Sequence, residues 1–367
     1  MLLRSAHLKA AFAAALLPFL LAGVIIVCTA DSVHAAAADT PMTESPSAGS
    51  TSWLLASARM LGKVAVFGGK ALVGLYAVAA GAMFVFQRKL LFIPEPAWSD
   101  DILRRYFGDL SFEGLEDVKV HTQDGKTLRC DYWPAPATPR GPRNAALSGV
   151  TLLMFHGNAG NRQLRRPWVR ELRSILGCGI MMVDYRGYGG SEGSPSQAGF
   201  CADARAAVKW LRARLADDAR KGLVAPSHKV VYYGESIGTG VSTYLASVDA
   251  PDGVILHAPF SSAVDAAATL KPMQVFPIRL LMRDRFPSTT WCKKWPKEMP
   301  SLILHGTADD LVPLRLGRKL FDAIPAEKGI KAMVEIEGAG HNDVPDFGLQ
   351  YYQPIIHFLS EKVVGRG

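Results

Sequence analysis

Three residues of the kinds that activate a serine nucleophile occur in this sequence in the order serine, aspartate, histidine. Ser236 lies in the pentapeptide Gly-Glu-Ser-Ile-Gly, and Asp309 and His341 each follow a short apolar run. A serine hydroxyl is a poor nucleophile at neutral pH unless an imidazole accepts its proton and a carboxylate orients that imidazole. We therefore predict that Ser236 is a nucleophile, His341 its base and Asp309 the acid behind the base.

The pentapeptide at 234–238 has the flanking sequence of a sharp strand–turn–helix. A β-branched and aromatic run precedes it, and a helix-like stretch with small residues follows it. Because Gly234 and Gly238 lack a Cβ, the strand and the helix can approach closely. This context predicts a strained, exposed Ser236 and places the Ile237 amide at a helix start, where it can donate to an oxyanion.

A second oxyanion donor is predicted in the stretch His-Gly-Asn-Ala-Gly-Asn at 156–161. It follows the apolar run 150–155, which is typical of a strand buried on both faces of a parallel sheet. The glycines let the backbone approach a substrate, so we expect the amide of Asn158 or Ala159 to act together with that of Ile237.

Strand-like and helix-like stretches alternate through the rest of the chain, which predicts an α/β fold with a mostly parallel central sheet flanked by helices. In such sheets active residues gather just past the carboxyl ends of strands, where all the stretches named above lie. The predicted strands are 118–123 and 127–133, joined as a hairpin, then 150–155, 180–183, 229–233, 254–256, 302–304 and 332–336. The predicted helices are 163–176, 197–215, 239–247, 314–323 and 346–361.

Two apolar runs precede this part of the chain. Residues 11–30 carry no charge and follow two basic residues, so 1–35 is interpreted as a signal peptide or a first membrane anchor. The Ala-, Ser- and Pro-rich stretch 36–62 is predicted to be a flexible linker. The run 64–86 has one charge and is long enough to cross a bilayer, so 63–89 is predicted to be a transmembrane helix and 90–367 the catalytic domain.

Composition limits the classes of partner. The net charge is +8, and residues 1–89 contain seven basic and three acidic residues beside apolar runs. This distribution favours an anionic membrane surface and no nucleic acid, because no basic stripe with interleaved aromatics occurs. The five cysteines show no CxxC spacing, and no stretch has metal-ligand spacing. No metal and no cofactor are therefore expected, and the oligomeric state is left open.

The chain from about 87 to 362 resembles the membrane-anchored α/β-hydrolase family of Bem46-like proteins and animal ABHD12-, ABHD13- and ABHD17-like serine hydrolases. The resemblance implies an α/β-hydrolase fold and implies nucleophile, acid and base roles for Ser236, Asp309 and His341. The leading run 11–30 is not part of the shared pattern. The matching stretches are 86–90 with 92–94, 156–162, 184–189 with 191–193, 234–238, 258–262, 284–286, 305–306 and 338–343.

Other polar residues compete for these roles. Asp310 is the alternative to Asp309, which is preferred because of its place in the family pattern His-Gly-x-x-Asp-x-x-Val-Pro. Structural roles are preferred for Asp184, Arg186, Tyr188, His156 and His305 as loop anchors, and for Asn342 and Asp343 as residues that shape the histidine loop.

The function expected is hydrolysis of acyl esters or thioesters at a membrane, through an acyl-enzyme. Lipid-like acyl chains presented from a bilayer would suit an anchored enzyme, at an inner or plasma membrane whose catalytic side is left open. The alternatives are a serine peptidase of the same fold and a catalytically silent binding module.

Overall fold

The computed structural model describes residues 48–108, 112–136 and 147–365, with side chains described from residue 57. The predicted segment 1–35 and the first part of the predicted linker lie outside these residues. The chain divides into two compact units, Met1–Gly81 and Ala82–Gly367.

A single long helix, α1 (Ala48–Leu91), forms the described part of the first unit and the beginning of the second. Within it Ser57–Leu91 is 35 residues long, with a mean hydropathy of 1.7 in its most apolar window, and no residue of that window is buried. Its length and composition are sufficient to cross a membrane, as 63–89 was predicted to do. The helix begins earlier than expected and includes 48–62, which the composition assigned to a linker.

The described residues of the second unit include ten strands. The strands are β1 (Ile93–Pro94), β2 (Glu116–His121), β3 (Thr127–Trp133), β4 (Val150–Phe155), β5 (Ala159–Gly160), β6 (Gly179–Val183), β7 (Lys229–Glu235), β8 (Gly253–His257), β9 (Ser301–Gly306) and β10 (Lys331–Ile336). Eight of them form one sheet in the order β10-β9-β8-β7-β4-β6-β3-β2. All pairings from β10 to β6 are parallel, and β3 pairs antiparallel with both β6 and β2.

The inner strands β4, β6, β8 and β9 are buried at every residue, as expected for a parallel sheet covered on both faces. One apolar cluster includes Phe155, Phe200 and Phe286, and a second includes Met154, Leu172 and Tyr351. The other α-helices among the described residues are α2 (Asp100–Phe107), α3 (Arg162–Leu176), α4 (Gln197–Arg220), α5 (Ile237–Ala246), α6 (Ala263–Ala267), α7 (Ile278–Leu281), α8 (Ser288–Trp291), α9 (Leu314–Ala323) and α10 (Leu349–His357).

The end of the chain differs from the single helix predicted over 346–361. A 3-10 turn (Val344–Phe347) comes first, α10 follows, and a π-helical stretch (Phe358–Val364) ends the described chain. Gly348 separates the turn from α10 with a φ of 56°, a left-handed conformation that interrupts any regular helix.

Strands β1 and β5 form a separate two-stranded parallel ladder that the sequence did not predict. Ile93 pairs with Ala159, and Pro94 pairs with Gly160. The chain leaving α1 is thereby joined to the loop that follows β4.

Candidate active site

Ser236 lies between β7 and α5 in a conformation that few residues adopt. Its φ is 53° and its ψ is −115°, and its amide donates to the His257 carbonyl at 2.9 Å. Strained backbone of this kind persists only where the surrounding structure holds it. A Cβ on Gly234 would approach the Gly238 carbonyl oxygen to 2.5 Å, so the crossing of strand and helix requires glycine there.

The three side chains predicted to act together form one hydrogen-bonded line. His341 Nε2 lies 2.9 Å from Ser236 Oγ, and His341 Nδ1 lies 2.7 Å from Asp309 Oδ2. They come from the carboxyl ends of β7, β9 and β10, although 105 residues separate the serine from the histidine. In the tautomer with its proton on Nδ1, His341 donates to Asp309 and leaves Nε2 to accept from the serine hydroxyl.

Asp309 is held as an anion by its surroundings. Burial disfavours its charged form, but hydrogen bonds from His305, His341 and the Val312 amide outweigh burial and hold the pKa of Asp309 below its usual range. Its Oδ1 accepts from the Leu311 and Val312 amides at 3.0 and 2.7 Å. This carboxylate is therefore both oriented and charged at neutral pH.

The loop predicted to supply the second oxyanion donor is held by the chain that leaves α1. The Asn158 side chain donates to the Leu91 carbonyl and accepts from the Tyr188 hydroxyl at 3.1 Å. The same hydroxyl accepts from the Ile93 amide at 3.2 Å. The Asn158 side chain thus fixes the position of its loop. Its backbone amide is the predicted donor to an oxyanion.

Arg165 joins this loop to the turn that carries Ser236, and the sequence did not reveal it. Its Nη1 donates to the Ala159 carbonyl at 2.7 Å, while Nε and Nη2 donate to Glu235 at 3.3 and 3.1 Å. Burial opposes the charge on Glu235, but Arg165 lowers the pKa of Glu235 to about 2. The sequence does place Arg165 in the first turns of a predicted helix, one turn after Asn161, which is the N-cap of α3. That position near the oxyanion loop is the signal from which a contact could have been expected.

The residues expected to anchor loops make structural contacts. Asp184 accepts from the Arg162 amide and guanidinium, and its Oδ1 lies 3.1 Å from His156 Nε2. Arg186 is bonded to Asp203 and Asp124, and His305 Nε2 donates to the Val312 carbonyl at 2.8 Å. Asp343 accepts from the Gly340 amide at 2.6 Å, one residue before His341.

Asp309 is the carboxylate hydrogen-bonded to His341, whereas the neighbouring Asp310 is exposed. Among the described residues there is no group of three or more His, Cys, Asp and Glu side chains that could hold a metal ion. The described cysteines, Cys130, Cys178, Cys201 and Cys292, are free and buried.

Comparison with known proteins places this architecture in a family. The family described as alpha/beta hydrolase fold matches residues 150–291. Human alpha/beta hydrolase domain-containing protein 17B is 35% identical over 253 residues, which cover 69% of this chain and 77% of that protein. The protein Bem46 of Schizosaccharomyces pombe is 29% identical over 304 residues, covering 80% of this chain and 93% of Bem46.

A solved structure, an esterase of Pyrococcus furiosus, is similar with a TM-score of 0.53 and 18% identity, over 74% of this chain and 98% of the esterase. At this identity the similarity concerns the fold. Together with the sequence relatives it shows that the chain belongs to the α/β-hydrolase fold family, in the group that contains Bem46 and the ABHD17-type proteins.

Proposed function

We propose that this hydrolase-family protein is a membrane-anchored serine hydrolase that cleaves acyl esters or thioesters through an acyl-enzyme. The observation that carries the proposal is the line from Ser236 Oγ to His341 Nε2 at 2.9 Å and from His341 Nδ1 to Asp309 at 2.7 Å, at a strained turn. Fold membership supports a hydrolase, and this arrangement supports a serine nucleophile.

In the proposed acylation step, Ser236 Oγ forms a bond to the acyl carbon while its proton passes to His341 Nε2. The tetrahedral intermediate carries its negative charge on the former carbonyl oxygen. That oxygen would accept from the Ile237 amide and from the amide of Asn158 or Ala159. His341 then gives its proton to the departing oxygen or sulfur, and the carbon–leaving-group bond breaks.

Deacylation repeats these steps with water as the nucleophile. His341 Nε2 takes a proton from water, the hydroxide oxygen bonds to the acyl carbon, and the proton returns to Ser236 Oγ as the carboxylic acid leaves. Asp309 stays ionised throughout and stabilises the imidazolium, which agrees with the lowered pKa of its carboxyl group.

Two features favour an acyl chain presented from a membrane as the substrate. The exposed apolar helix Ser57–Leu91 can serve as an anchor, and its end is hydrogen-bonded to the loop proposed to bind the oxyanion. A monoacyl lipid or an S-acylated protein carries the required carbonyl beside a bilayer. Membrane association is therefore part of the proposal, without assignment of a side.

Labelling with a fluorophosphonate probe tests the nucleophile. We expect the full-length protein to be labelled, the Ser236→Ala variant to lose all labelling, and a control variant at the exposed Ser174, Ser174→Ala, to be labelled like the wild type. A folded wild-type protein that resists the probe would contradict the proposal and favour a silent binding module.

The substrate class is tested with p-nitrophenyl esters of increasing chain length beside an acyl thioester and a peptide amide. Hydrolysis of esters and thioesters that is lost in Ser236→Ala is the expected result. A peptide turned over with a higher kcat/KM than every ester would instead assign a peptidase.

A further inference from the structure

One surface of the second unit combines exposed apolar and basic side chains. It lies in residues 270–285, called here the basic segment, which include a 3-10 turn (Lys271–Met273) and α7. Leu280 is 83% exposed and Val275 is 57% exposed, and Leu270 is also exposed. Exposed apolar side chains grouped among polar residues are typical of protein or membrane interaction sites.

The charge of the basic segment is strongly asymmetric. Its four basic residues, Lys271, Arg279, Arg283 and Arg285, are all exposed. Its one acidic residue, Asp284, is buried and bonded to Arg88 at 2.7 Å. Of the four, Arg279 has a carboxylate partner, Asp265, at 3.0 Å, and Asp265 also binds Lys319. The surface therefore presents positive charge beside exposed apolar groups.

The basic segment is attached to the last turns of α1. Gln87 donates to the Leu281 carbonyl at 3.1 Å and accepts from the Arg283 amide at 2.7 Å. The Arg283 guanidinium lies 5.8 Å from the centroid of the Phe84 ring. These contacts are all made by residues 84–87, at the carboxyl end of the helix that is proposed to anchor the protein.

We propose that the basic segment binds the surface of a bilayer containing anionic lipids, with Leu280 entering the headgroup region and the basic side chains binding lipid phosphates. This inference rests on the proposed anchoring of α1. Apolar side chains beside lysine and arginine are the composition of interfacial membrane elements. Each basic side chain near an anionic surface contributes attraction to it.

The contact would also orient the catalytic edge of the sheet. The chain leaves the sheet at the carboxyl end of β8 and continues through α6 into the basic segment. The β8 residue His257 accepts the hydrogen bond from the Ser236 amide at 2.9 Å. The turn that carries the nucleophile and the chain that leads to the basic segment therefore leave the sheet at the same edge. In the proposed orientation this edge faces the bilayer.

The test uses the full chain in lipid nanodiscs with a fluorophore at one introduced cysteine. The described native cysteines are buried, and Cys28, which lies outside the described residues, is replaced in all variants by Cys28→Ser. Leu280→Cys reports on the basic segment. Leu223→Cys is the matched control, because Leu223 is 69% exposed and precedes β7 at the amino end of the sheet. The quencher is a nitroxide on a lipid headgroup.

With one third phosphatidylglycerol in phosphatidylcholine, we expect strong quenching at position 280 and none at 223. Replacing phosphatidylglycerol by neutral lipid should weaken the quenching at position 280. Lys271→Gln or Arg285→Gln should each lower the ratio of surface-bound to unbound segment by about fivefold. Equal quenching at 280 and 223 would overturn the proposal, and so would quenching at 280 that is indifferent to lipid charge.

Alkaline carbonate extraction of native membranes separates this inference from the anchoring on which it rests. If the protein is extracted, both the anchoring by α1 and the membrane binding of the basic segment are contradicted. If the protein is retained and position 280 is not quenched, only the proposed membrane binding of the basic segment is contradicted. Neither readout depends on ester hydrolysis, so loss of the proposed activity leaves both results interpretable.

Discussion

Two histidine–aspartate pairs lie past the carboxyl ends of neighbouring strands, and only one of them faces a nucleophile. His341 and Asp309 follow β10 and β9, while His156 and Asp184 follow β4 and β6. The nitrogen-to-oxygen distances are 2.7 and 3.1 Å, and both aspartate side chains are fully buried. The two distances are similar, but His341 Nδ1 is hydrogen-bonded to Asp309, whereas His156 Nε2 lacks hydrogen-bond geometry toward Asp184.

A second difference lies in the third group of each set. Beyond His341 is the Ser236 hydroxyl, whereas the other nitrogen of His156 lies 2.7 Å from the Gly157 carbonyl and its ring contacts Tyr185. The second oxygen of Asp184 is bound by Arg162 at 2.6 Å, a permanent cation. A buried histidine–aspartate pair is thus a candidate for catalysis when a nucleophile completes it, and a structural clamp when an arginine does.

The first way to test this comparison is Asp309→Asn, which carries the largest expected effect. The amide would favour the wrong tautomer of His341 and could not stabilise its charged form. We expect kcat for a p-nitrophenyl ester to fall by about 10⁴-fold. Asp310→Asn is the control and should stay within twofold of wild type. A large loss in the control instead would mean that the acid was wrongly assigned.

Asp184→Asn should affect stability and leave kcat within about tenfold of wild type. Removing this carboxylate leaves the buried Arg162 with less compensation, which is expected to cost about 3 kcal/mol of unfolding free energy. Urea denaturation measures it. Asp217→Asn, at an exposed carboxylate paired with Arg220 and Lys221, should leave the midpoint unchanged. Loss of activity without loss of stability in Asp184→Asn would break the comparison.

Glu235→Gln examines the ion pair that joins the nucleophile turn to the oxyanion loop. The pKa of Glu235 falls from its ordinary value of 4.5 to about 2 in the folded protein. Its stabilisation is therefore present above pH 4.5 and lost as the pH falls toward 2, at most about 3 kcal/mol. We expect wild type to be more stable than Glu235→Gln at pH 7, with the gap closing over that acidic range. A gap that is constant with pH would contradict a charged Glu235.

The smallest effect is expected for Tyr188→Phe, beside the structural pair. It removes the hydroxyl that bonds Asn158 and the Ile93 amide, a loss worth about 1 kcal/mol. If Asn158 positions the oxyanion loop, kcat/KM should fall about fivefold. Tyr244→Phe, at a hydroxyl that binds Arg205, is the control and should change nothing. An unchanged kcat/KM in Tyr188→Phe would contradict a role for this loop in binding the oxyanion.

The sheet was predictable because its strands are short apolar runs. The predicted runs 150–155 and 302–304 fall within β4 and β9, and the helix 314–323 was predicted with its observed bounds. The three triad candidates were also readable, since strand ends of a parallel sheet meet at one edge. The choice of Asp309 over Asp310 rested on a family pattern, and the distance to His341 supplies a geometric reason for it.

Contacts between distant, unpatterned residues were not predictable. Two-residue strands such as β1 and β5 have no period from which to recognise them. From its sequence neighbours Arg165 is expected to be an exposed helical arginine. Its contact with Glu235 joins residues 70 positions apart and is visible only in the folded chain. The extra length of α1 before residue 63 was missed because Ala, Ser and Thr fit a linker as well as a helix.

The two-residue ladder between β1 and β5 has a consequence for the loop proposed to bind the oxyanion. Gln87 and Arg88 are bonded to the basic segment, and Ile93 is paired with Ala159, so residues 87–93 are held at both ends. A displacement at residues 87–88 would therefore reach this loop without passing through the central sheet. The rate of acyl transfer then becomes sensitive to the stretch of chain between the last turn of α1 and β5.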